Sequence, residues 1–171
     1  MNQQIPHIDE LTQLIKTARL HLAKDGHLVQ VAFMWTGENV AVIGGRPLYD
    51  NVDKIVWSKI LRRMVMDLQA DALFTMMEVW AVNVDHAPTP DDLMQAPNKN
   101  TSGAYEAIMF SLETMDGSWV AVCPIIRMEG QGPAFAMPRF WVQGQASGTM
   151  FNIIPDKNAQ AYRPLFREDQ P

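Results

Sequence analysis

Glu78 is the residue whose surroundings most suggest chemistry, in the run "ALFTMMEVWAVNV" from Ala72 to Val84. Read as an extended chain, this run puts Glu78 on the same side as Phe74, Met76, Trp80 and Val82, because successive side chains alternate between faces. A lone carboxylate among apolar neighbours is costly to bury, so it must be neutral, paired or open to a cavity. Burial would raise its proton affinity, a property that suits a general acid or base. The plainer readings pair Glu78 with Lys59, Arg62 or Arg63 of the preceding segment, or leave it on the open side of a sheet.

Other residues could assist. His86, next to Asp85 at the end of the same run, is the best placed of the four histidines. Eight residues of extended chain span about 26 Å, so His86 and Glu78 share a site only if the chain bends. Arg46, in "VIGGRP", and Trp80 are the candidate ligand-binding residues. Paired glycines before an arginine can cradle an anion, but neither G-x-G-x-x-G nor G-x-x-x-x-G-K-[ST] is present, and a turn is the simpler reading. His7, His21, His27 and His86 form neither H-x-H nor H-E-x-x-H, and there is one cysteine. No metal and no cofactor is therefore expected. Cys123 lies inside the apolar run "WVAVCPII", where a free cysteine is ordinarily an inert core residue rather than a nucleophile.

Composition narrows the class of protein that could use such residues. Hydrophobic residues make up 47% of the chain and charged residues 19%, enough apolar material for one core over residues 1–171. The net charge of −5 argues against nucleic acid, whose binders concentrate Lys and Arg against phosphate. Lys54, Lys59, Arg62 and Arg63 give one segment a basic side, which reads as a solvated face. The N-terminus lacks the basic and apolar regions of a secretory signal, no run approaches the length of a membrane span, and one cysteine suits a reducing compartment. The expectation is a soluble cytoplasmic protein with no nucleic-acid or membrane partner.

The elements that must hold these residues follow from periodicity. Ile8, Leu11, Leu14, Ile15, Ala18 and Leu22 recur at three and four residue steps, predicting a helix from about 8 to about 24. Asp9 and Glu10 sit in its first turn and Gly26 ends it. "HLVQVAFMW" and "VAVI" predict two strands joined through "TGEN" as a hairpin. Asp50 is placed to cap a second helix over roughly 51–69, with Trp57, Ile60, Leu61, Met64, Val65 and Leu68 inward. The run from Ala72 to Val84 reads as a long strand, with a helix as its alternative. Residues 85–104 hold three prolines and no periodicity, and read as a long loop. "YEAIMFSLET" and "SWVAVCPII" around Asp116-Gly117 predict a second hairpin, and further strands are expected near "RFWVQ" and "TMFNII", before a polar tail from about residue 156.

One echo bears on repeats. "KDGHLVQVAF" at Lys24 returns as "MDGSWVAVCP" at Met115. The likeness ends after about eight residues and the flanking elements differ, so it is turn chemistry used twice rather than a duplicated unit. The fold expected is α+β, two helices on one face of a largely antiparallel sheet of six or seven strands. Two helices are not expected to cover such a sheet. Trp119, Phe140, Trp141 and Phe151 are then candidates for an apolar face buried in a homodimer. Twelve methionines and five tryptophans suit either a core or a binding surface. The function expected is a non-enzymatic binding or regulatory module, a homodimer that meets a protein or small-molecule ligand. The alternative is a small hydrolase or lyase-like enzyme using Glu78, with His86 or Arg46 at the rim of a pocket.

Overall fold

A computed structural model describes residues 5–45, 51–83, 97–143 and 153–154. Helix α1 spans Ile8–Asp25, and α2 spans Asn51–Leu68. The strands are β1 (Val31–Thr36), β2 (Asn39–Gly44), β3 (Ala72–Ala81), β4 (Tyr105–Thr114), β5 (Gly117–Ile126), β6 (Ala134–Phe135) and β7 (Val142–Gln143). They form one sheet in the order β2-β1-β3-β4-β5-β6, with β7 also pairing β5. Every described pairing is antiparallel. The protein is thus an α+β fold with two helices and a largely antiparallel sheet.

Local chemistry accounts for the elements. α1 buries Leu11, Ile15, Ala18 and Leu22 in one row, carries Asp9 and Glu10 in its first turn, and ends at Gly26. Gly26 adopts φ 79° and its N–H donates to the Leu22 carbonyl, a conformation that costs glycine nothing. β1 and β2 close over Gly37 and Glu38, and β4 and β5 close over Met115 and Asp116. β3 is a strand over its whole length and not the alternative helix. β6 was not expected; it is two residues after Pro133, too short for alternation to mark. Asp50, Val84 at the end of the expected strand, residues 85–96 of the expected loop, "TMFN" and the tail from 155 lie outside the described residues.

The helices sit on opposite faces of the sheet rather than together on one. α1 packs with Trp35, Phe74, Met76, Ile108, Phe110, Leu112, Trp119 and Phe135, whereas α2 packs Trp57, Leu61 and Val65 with Ala32, Met34, Leu73 and Met77. The reason lies in the central strands. Both parities of β1 and of the first half of β3 are apolar and buried, the pattern of a strand covered on both sides. β2 and β3 flank β1 and run parallel to each other, so the chain between them must cross over the sheet, and α2 is that crossover. The expected apolar interface changes accordingly. Trp119 is 5% exposed in the α1 core, Trp141 packs against it, and Phe140 alone of the described three is exposed. Phe151 lies outside the described residues.

Candidate functional site

Alternation along β3 places Glu78 and Trp80 on the α1 side, beyond the last turn of that helix. Glu78 is exposed, and its Oε1 accepts the backbone N–H of Leu28 at 2.6 Å. The side chain therefore anchors the connector between α1 and β1. Pairing with Lys59, Arg62 or Arg63 does not arise, because α2 lies on the other face and Arg63 pairs along its own helix with Asp67 at 2.9 Å. Trp80 is 37% exposed beside Glu106 of β4. Glu106 receives a hydrogen bond from the Arg127 guanidinium, and Arg127 also donates to the Gly26 carbonyl at 3.2 Å.

Glu78 and Glu106 are thus diagonal neighbours on one sheet face, since Glu78 faces Ile108 in the register. Each is held by one donor, and both donors tie the stretch Gly26–Leu28 to the sheet. Sequence reading found Glu78 and its face correctly but missed Glu106 and Arg127. Alternation gives Glu106 the same face as Ile108 and Phe110, but Arg127, twenty-one residues on, follows a strand end and shows no periodicity. His86 and Arg46 lie outside the described residues. A cavity of about 410 Å³ is lined by Ile5 to Glu10 at the start of α1. Glu78 meets the chain just past the end of that helix, and eighteen helical residues separate the two by roughly 27 Å.

The remaining chemical candidates have ordinary places. His7 stacks on Trp35 with centroids 4.8 Å apart, His21 lies 3.6 Å from Asp25 on the outer side of α1, and His27 is exposed. Among the described residues no three His, Cys, Asp or Glu side chains converge as a metal site requires. No helix of the described residues is long and apolar enough to cross a membrane. Cys123 is 6% exposed in the α1 core, and burial pushes its thiol up from the ordinary 9.0, away from the thiolate that nucleophilic work needs. Its reaction with a disulfide reagent at pH 8 is expected to be on the order of a hundredfold slower in the folded protein than in urea, since exchange waits on opening; equal rates would place the thiol at the surface. The sign is fixed as well: the folded state holds the thiol proton more tightly, so this contribution to stability is whole below pH 9.0 and falls as pH rises further.

Sequence reading also passed over Glu113, which is 4% exposed on the α2 side. Its Oε2 accepts the backbone N–H groups of Ile153 at 2.7 Å and Ile154 at 3.1 Å. On the same side, the Trp57 indole N–H and the Ser111 hydroxyl are buried with no hydrogen-bond partner among the described residues, as is the Gln30 amide nitrogen just before β1.

A family model for bacteriophage lambda protein ea47 matches residues 1–142, which takes in both helices and every strand as far as the first residue of β7. The chain belongs to the bacteriophage lambda protein ea47 family. Glu78, Trp80, Glu106, Glu113 and Arg127 all fall within the part shared with the ea47 model, whereas Ile153 and Ile154 follow it. No curated protein matches the chain, and no solved structure does.

Proposed function

We propose that this member of the ea47 family is a non-enzymatic binding or regulatory module that works as a homodimer in the cytoplasm. The observation that carries the reading is the apolar side chain left uncovered along α2, where Val52, Ile55, Val56 and Ile60 are all more than two-fifths exposed. An exposed apolar helix face of this kind marks an interaction site more often than a monomer's ordinary exterior. Light scattering across a dilution series is expected to give twice the 19.3 kDa chain mass. A monomer at every concentration would overturn the homodimer.

The satisfied state of Glu78 supports the same reading over a general acid or base. A catalytic carboxylate needs a pocket and a reacting proton within reach, and this one is exposed and engaged by the Leu28 amide. Its role in the module is to hold the connector. Glu78→Gln keeps an acceptor oxygen and loses the charge, so it is expected to cost no more than about 1 kcal/mol in urea unfolding. A loss above about 3 kcal/mol would mean that the carboxylate does more than accept one exposed amide.

A further inference from the structure

Ile153 and Ile154 are buried, at 2% and 5% exposure, in the cluster that Trp57, Leu61 and Val65 of α2 form with Ala32, Met34, Leu73 and Met77 of the sheet. The two isoleucines belong to no described helix or strand. Among the described residues, their backbone hydrogen bonds go to one atom: Glu113 Oε2 accepts both N–H groups, at 2.7 Å and 3.1 Å. The segment also follows the part of the chain that the ea47 model matches, whereas Glu113 lies inside it. Its attachment is that of a docked peptide rather than of a strand in the sheet.

The chemistry of that attachment does not depend on this particular segment. Two successive backbone N–H groups turned toward one anion form a concave donor pair, and a carboxylate binds such donors more strongly than a neutral oxygen does. The donor series stops after Ile154, because Pro155 has no N–H. Backbone amides carry no residue type, so selection falls to the apolar cluster, which takes two consecutive aliphatic side chains. On the same face of β4, two residues before Glu113, the buried Ser111 hydroxyl has no hydrogen-bond partner among the described residues, leaving a spare donor and acceptor on that face.

We propose that the surface around Glu113, between α2 and strands β3 and β4, is a peptide-binding site that the chain fills with its own Ile153–Ile154 segment, and that a peptide with two consecutive aliphatic residues from another protein takes the segment's place. The Glu113 carboxylate receives the two amides of whichever chain is bound, and the α2 cluster receives its side chains. The tethered segment is then a built-in competitor, present at a local concentration of the order of millimolar, and sets the threshold that an outside peptide must exceed. This inference rests on the binding-module reading above and names its site and ligand class.

The probe is a fluorescein-labelled peptide with the sequence of residues 150–157, "MFNIIPDK", followed by anisotropy against the full chain as wild type and as Ile153→Ser with Ile154→Ser. The double variant keeps the backbone donors and loses both aliphatic anchors, so it should bind the peptide at least about tenfold more tightly than the wild type does, its own competitor being weakened. Peptides carrying Ser-Ser for Ile-Ile, or N-methyl groups on both isoleucine amides, should each bind at least about tenfold more weakly. One reading needs no variant to fold: excess unlabelled peptide should speed hydrogen exchange at the wild-type Ile153 and Ile154 amides at least about tenfold, because it displaces them from Glu113. Unchanged exchange, or a cooperatively folded double variant that binds no better than the wild type, would overturn the site. Equal binding of the N-methylated peptide would overturn the role given to Glu113. Light scattering on the same samples reads the homodimer separately, so either proposal can fail without the other.

Discussion

Phe110→Ala is expected to cost about 3–5 kcal/mol, the range for truncating a fully buried aromatic side chain. Phe110 is 0% exposed at the centre of β4 and lies 6.3 Å from Phe74, 5.7 Å from Phe135 and 6.4 Å from Trp141, ring centroid to ring centroid. Three rings, from β3, β6 and the segment before β7, therefore meet around this one side chain of β4. Removing it leaves a void that α1 above and the strands beside it cannot close without losing their own contacts. Domains are commonly stable by only about 5–15 kcal/mol in total, so thermal unfolding should fall by roughly 10 °C or more. Phe110→Leu keeps most of the volume and should cost about 1–2 kcal/mol. Equal effects from the two variants would show that the ring cluster is not where the core closes.

Glu113→Leu should rank next, for a different reason. The carboxylate is buried on the α2 side and is the acceptor for two buried amides, those of Ile153 and Ile154. Leucine fits an apolar surface but accepts nothing, and each orphaned buried N–H costs about 1–3 kcal/mol. The expected loss is about 2–5 kcal/mol on that basis. Glu113→Gln retains an oxygen in the same place and should lose about half as much or less. Hydrogen exchange gives the specific signature: the Ile153 and Ile154 amides should be protected in the wild type and in the glutamine variant, and should exchange freely in the leucine variant. Protection that survives in the leucine variant would mean that other groups hold that segment.

Much of the architecture was legible because it is local. The row from Ile8 to Leu22 gave α1 nearly to the residue, and "YEAIMFSLET" with the residues after Asp116 gave β4 and β5, since alternation and turn chemistry act over a few residues. The placement of α2 was not legible in the same way. Its inward row was read correctly, but which face it covers depends on the crossover from β2 to β3, and both faces of β1 are equally apolar. Trp119 shows the same limit: its parity points toward Phe110 and Leu112, yet only the arrival of α1 and Phe135 decides that it is covered. The polar contacts were hardest. Glu78 was seen, but its partner is a backbone amide fifty residues earlier. Glu113 and its two amides are about forty residues apart. A backbone donor has no residue type, so no pattern announces it.

The two layers of this sheet are unequally secured. The α1 side holds the stacked rings, whereas the α2 side contains the Trp57 and Ser111 groups that have no hydrogen-bond partner among the described residues, each of which regains water when its surroundings part. Opening free energies within one domain follow such differences, so α2 should detach transiently at a lower free energy than α1, well before the chain unfolds as a whole. A second copy lying against α2 would resist that motion, because whatever binds only the closed form stabilises it. Dilution would then loosen one helix selectively, making the rigidity of α2 a function of how much protein is present.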